Sequence, residues 1–126
     1  MKLNLGLLIL RVSVGLIMFL QHGLPKLSKF TVLSSSFPDI MGIGSQVSLS
    51  LAVFSEFFCS IFLIAGLLTR WAAIPLICTM LVAILVVHGN DPFKVKELAV
   101  MYLVSYIVIL ITGPGEYAVD KFLKKS

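Results

Sequence analysis

Charge is scarce in this chain. Only 13% of its 126 residues are Asp, Glu, Lys or Arg, about half the share of an ordinary soluble domain. Hydrophobic residues make up 59%, and mean hydropathy is +1.06. A soluble core of this size could not hide so much apolar surface, whereas lipid can. The net charge of +4 comes from basic residues placed singly in turns between apolar runs. That pattern argues against nucleic acid as a partner and fits loops lying against anionic headgroups.

Cysteine is almost as rare. Cys59 and Cys78 both fall inside apolar runs, with no CxxC, CxxCH or Cys/His spacing around them. Such cysteines are ordinarily small hydrophobes, and a redox pair is the minor reading. The sequence also lacks HExxH, a Rossmann glycine pattern and a nucleophile elbow. Neither a metal site nor a nucleotide cofactor is therefore expected. No internal repeat or low-complexity segment divides the chain, so residues 1–126 are read as one domain.

What the sequence does have is four long apolar runs. Helices are expected over approximately 3–22, 47–68, 71–88 and 96–112. The run Val47–Leu68 carries one charge, Glu56, and at 1.5 Å per residue would extend roughly 33 Å, enough to cross a bilayer's hydrocarbon. The first run could pass for a signal peptide after Lys2. It contains Arg11, however, is too long, and ends in QHGLPK with no small-x-small site, so a first membrane helix is the better reading. Gly23 and Pro25 are expected to end it. Residues 24–45 then read as the longest loop, with at most a short surface helix. Pro75 is placed in the first turn of the third helix.

The predicted fold is thus all-α, an integral-membrane four-helix bundle with both termini on one side. That side has five basic loop residues, Lys2, Arg70, Lys121, Lys124 and Lys125. The other has four, Lys26, Lys29, Lys94 and Lys96. With Arg11 nearer the first group, the positive-inside rule places both termini in the cytoplasm.

A mid-membrane carboxylate is costly and needs a partner. Measured from the termini side by helical rise, His22, His88 and Glu97 fall at roughly 25 Å, Glu56 at about 20 Å and Arg11 near 10 Å. Two histidines and two acids therefore share one level, and an Arg11–Glu56 pair is within side-chain reach. Each residue also has a plainer reading. Arg11 could snorkel, Glu56 could be purely structural, the histidines could be solvated helix ends, and Glu97 could favour a helix start. Their common height favours function. The set could relay protons to a quinone, whose reduction needs two protons in an apolar slot. Glu56, His22, His88 and Glu97 are the candidate proton carriers, and Arg11, Glu56 and His88 the candidate quinone pocket.

The chain resembles the DoxX family. RVSVGLIMFLQHGLPKL, with Arg11, Gly15, His22, Gly23 and Lys26, is similar to that family's first helix. EFFCSIFLIAGLLTRWAA, with Glu56, Gly66, Thr69 and Arg70, is similar to its second-to-third helix segment. His88-Gly89, Glu97 and GPGEYAVD through Asp120 complete the pattern. Ala118 departs from it, standing where a serine is expected. The resemblance implies a small bacterial inner-membrane protein acting as an oxidoreductase, or as a quinone-interacting redox subunit. It also implies a soluble redox enzyme as partner. A homo-oligomer in the lipid bilayer, an anchoring subunit without its own activity, and a small transporter or proton path remain as alternatives.

Overall fold

The computed structural model describes residues 2–34 and 42–120. Four helices are long and apolar enough to cross a membrane: α1 (Lys2–Ser28), α3 (Ser45–Ala65), α4 (Thr69–Val87) and α5 (Phe93–Thr112). A short α2 (Phe30–Leu33) follows α1. No strand occurs among the described residues. The protein is an all-α membrane bundle, as its hydropathy predicts.

The first boundary differs from expectation. α1 does not stop at Gly23 but runs five residues further, through Pro25 to Ser28. Phe19–Gly23 forms a π-helical turn, in which the Leu24 N–H bonds back to the Phe19 carbonyl. The widened turn places Pro25 at the start of a fresh α-helical stretch, where its missing N–H does little harm. In lipid, where no water competes for backbone groups, such local rewinding keeps a proline inside a spanning helix. The expected loop therefore begins at Lys29, and Pro38 and Asp39 lie outside the described residues. α4 begins two residues earlier than expected, which moves Pro75 into its second turn. α5 begins at Phe93, leaving Glu97 one turn inside it.

The turn between α3 and α4 is built by Gly66. With φ +76 it closes α3, its N–H bonding to Leu63 and that of Leu67 to Phe62. This double closure satisfies the last carbonyls of the helix. Leu68, also left-handed, precedes α4, and Asp120 accepts from the N–H groups of Leu68 and Thr69 at 2.6 and 2.8 Å. Arg11 is 1% exposed and donates to the carbonyls of Leu63, Ile64 and Tyr117. A cation is well placed against the negative end of a helix dipole. Across the same end, Arg70 donates to the Leu110 carbonyl at 3.1 Å. The bundle is thus tied together at the end that carries the termini.

α1 and α3 cross closely over two glycines. A Cβ on Gly15 would meet Ile64 Cγ1 at 2.8 Å, and one on Gly23 would meet the Glu56 carbonyl oxygen at 2.3 Å. Small residues that let backbones touch are what packing in lipid requires, since apolar burial alone drives nothing there. The core at the bundle centre is filled by Met18, Leu63, Leu76, Met80, Tyr106 and Ile109.

Candidate functional site

Three of the four spanning helices contain a π-helical turn: Phe19–Gly23, Phe54–Cys59 and Ala83–Val87. The first lies toward the far end of α1, the second at the middle of α3 and the third at the far end of α4, and the first two pack directly on one another. Such turns insert an extra residue per turn and re-aim side chains, and they recur at functional sites. Here the second contains Glu56 and the first packs against it.

Glu56 is buried, its side chain 5% exposed. Its Oε1 accepts from Lys26 Nζ at 2.8 Å, so the expected Arg11–Glu56 pair does not form. Two features explain the exchange. The extension of α1 past Pro25 brings Lys26 into the bundle, one turn beyond His22, and the carbonyls at the end of α3 take Arg11 a little over two turns away. The pair leaves two unlike charges without net charge in lipid, the arrangement in which buried ions are tolerated. Lys26 was legible as i+4 from His22, had the helix been continued through the proline.

Beside this pair lies a cavity of about 540 Å³ between α3 and α4. Its wall is mostly apolar, with Ala52, Met80, Val82 and Ala83 among the lining residues. Lys26, Glu56 and His88 supply its charged and titratable groups. Leu51, Phe54 and Val87 line it while remaining exposed on the flank of the bundle, so it communicates with the hydrocarbon region. Ser55 and Thr79 hydroxyls meet across its wall at 2.6 Å, and Thr79 also donates to the Pro75 carbonyl at 2.8 Å. His88 Nδ1 bonds Asp91 Oδ2 at 2.8 Å, which leaves Nε2 as the nitrogen available to a ligand.

Of the residues expected to act together, the structure brings Glu56 and His88 to the cavity. His22 lies one turn from Lys26 and packs edge-on against Tyr102, ring centroids 5.7 Å apart. It is within electrostatic reach of Glu56 but does not line the cavity. Arg11 and Glu97 are placed elsewhere. Arg11 is held at the termini end, and Glu97, on an exposed face of α5, is outside the cavity lining. Calculated height alone carried Glu97 into the set, and height does not say which face of a helix looks inward. Two residues escaped sequence reading in their role. Tyr102 and Tyr106, at i,i+4 on α5, are buried and stacked with centroids 6.0 Å apart, within electrostatic reach of Glu56 and outside the cavity lining. Among the described residues no three His, Cys, Asp or Glu side chains gather as a metal site.

A four-span membrane bundle with a buried Lys–Glu pair at the foot of a lipid-facing cavity is the class of protein these features define. A family model described as DoxX matches residues 6–89, 84 of the 126 positions. The chain belongs to the DoxX family. An uncharacterized protein of Haemophilus influenzae is 35% identical over 124 residues, covering 92% of this chain and 90% of its own length. A second from the same organism is 28% identical over 130 residues, with 97% and 85% covered. The inner membrane protein YqjF of Escherichia coli is 26% identical over 127 residues, with 98% and 95% covered. No solved structure matches the chain. The protein is a multi-pass protein of the bacterial inner membrane.

Proposed function

We propose that the α3–α4 cavity binds a quinone from the bilayer and that the protein is a quinone-interacting redox subunit. The observation that carries this reading is an apolar cavity of about 540 Å³, open to the hydrocarbon region, with the Lys26–Glu56 pair and His88 in its lining. A lipophilic ring with a carbonyl at each end suits that lining. An ammonium such as Lys26 donates to a carbonyl oxygen, and a carboxylate such as Glu56 accepts from the quinol O–H that replaces it. His88 Nε2 serves the opposite oxygen. Reduction of a quinone takes up two electrons and two protons; a redox partner supplies the electrons, and these side chains convey the protons.

The test is to purify the protein in native lipid discs, extract it, and quantify quinone by mass spectrometry. Wild type is compared with Glu56→Gln, Lys26→Met and His88→Ala variants. Stoichiometric quinone in the wild type, reduced at least about tenfold in Glu56→Gln and Lys26→Met, is the expected outcome; a loss of that size corresponds to one charge-assisted hydrogen bond. Absence of quinone from folded wild type would transfer the assignment to a membrane anchor for a soluble redox enzyme.

A further inference from the structure

The polar groups that line the α3–α4 cavity are unequal in what they offer a ligand. Ser55 and Thr79 have one hydroxyl proton each. Their oxygens lie 2.6 Å apart, with the Pro75 carbonyl 2.8 Å from Thr79 and the Ala52 carbonyl 3.2 Å from Ser55. However the two protons are shared among these acceptors, both are spent inside the protein, and the pair presents only lone pairs. His88 Nδ1 bonds Asp91 Oδ2. An ionised carboxylate only accepts, so Nδ1 carries the proton and Nε2 of the neutral ring is an acceptor. Glu56 is an acceptor too: Lys26 engages Oε1, and Oε2 has no hydrogen-bond partner. The last torsion of a glutamate is broad, so either oxygen can turn to the cavity. Ser48 has a partner of its own, and Cys78 adds a weak S–H. The strong donor of the lining is therefore the Lys26 ammonium, with one N–H held by Glu56.

We propose that the cavity selects the reduced form of its ligand, a lipophilic quinol, over the quinone. The proposal rests on the quinone reading and names the redox state that the site holds. A quinone has two carbonyl acceptors and no donor, so of these groups only Lys26 serves it strongly. A quinol keeps an oxygen for Lys26 and adds two O–H groups. Glu56 or His88 accepts from them, according to the end of the cavity that the ring occupies. A quinone leaves those acceptors unmatched, and a desolvated polar group without a partner costs affinity. No electron moves and no bond to carbon changes in this selection. Tighter binding of the quinol raises the potential of the bound couple by about 30 mV for each tenfold preference. A quinone seated here is thus a stronger oxidant than the same quinone free in the bilayer.

The experiment uses the full chain in discs of quinone-free lipid at about pH 8, where an ordinary histidine is neutral. Under argon the discs are equilibrated with equal amounts of a decyl-substituted benzoquinone and its quinol, and separately with the quinol's dimethyl ether. Ligand retained in excess of empty discs is measured by mass spectrometry. Expected is a preference for quinol over quinone of roughly 10- to 100-fold, the worth of one or two added hydrogen bonds. The ether, which has the ring and tail without the O–H groups, should be retained no better than the quinone. Equal retention of quinone and quinol overturns the proposal and leaves the quinone reading standing, and so does an ether retained as well as the quinol. Retention of neither form overturns the quinone reading itself and this inference with it. Combining Glu56→Gln with His88→Phe should cut the preference to about threefold or less. An undiminished preference in that folded variant overturns the assignment to these acceptors. Should the variant not fold, the ether comparison on the wild type decides.

Discussion

At the scale of single residues, Lys26–Glu56 is the contact on which the site depends. A buried pair contributes little over an apolar substitute, but removing one partner strands a charge. Lys26→Met should therefore lower stability by about 3–5 kcal/mol, and combining it with Glu56→Gln should recover most of that loss. Unfolding of the four proteins in mild detergent, arranged as a double-mutant cycle, measures the coupling. Additive losses would show that the 2.8 Å contact does not bind the two residues energetically. Arg11 shows another arrangement: a buried cation whose two terminal nitrogens donate to three main-chain carbonyls, with Nε unpartnered among the described residues. Its planar fork suits acceptors in different directions.

At the scale of elements, the π turns and the glycine crossings act together. Gly23 ends one π turn and lies against the backbone of Glu56 and Phe57 within the other, with Phe57 Cα only 2.7 Å from a built Cβ. Backbone cannot yield as a side chain can. Gly23→Ala should consequently destabilise by about 1–3 kcal/mol and shift Glu56 away from Lys26. Gly6→Ala, where nothing lies within 4 Å, should leave stability unchanged. Thermal melting of both variants, with quinone retention as a second readout, checks the pair. Equal behaviour of the two would mean the crossing is not close. The small residue at which α1 meets α3 beside Ser60 and Ile64, Gly15, was visible in the sequence. That the backbones rewind at their crossing was not, because a π turn leaves no period of its own in five residues.

At the scale of the whole molecule, one end of the bundle is laced and the other is open. Arg11, Asp120 and Arg70 tie α1, the α3–α4 turn, the α5 end and the chain beyond it through hydrogen bonds. Toward the other end α3 and α4 leave a cavity between them. The same asymmetry bears on topology. With Lys26 drawn into an ion pair, the open end keeps three basic residues, Lys29, Lys94 and Lys96, against five at the termini end. A reporter fused after Ser126 should accordingly read as cytoplasmic, and one inserted at Gly89-Asn90 as periplasmic. The reverse pattern would place the termini in the periplasm.

Apolar runs determined most of the architecture without help from tertiary contacts. Four segments too hydrophobic for water and long enough for a bilayer can only become spanning helices, because lipid offers unpaired backbone groups no partner. A carboxylate in the middle of one, at Glu56, marks a site for the same reason. Which cation meets it was decided in three dimensions. Gln21-His22-Gly23-Leu24-Pro25 reads as a helix end by local rules, and packing against α3 with a π turn carries the helix through it. That extension delivers Lys26, while the carbonyls closing α3 capture Arg11. Counting residues puts Glu97 near the height of Glu56, yet the buried face of α5 carries Tyr102 and Tyr106 and leaves Glu97 exposed. Axial position follows from counting residues, but helix rotation and partner choice follow from how whole surfaces fit, which no single segment contains.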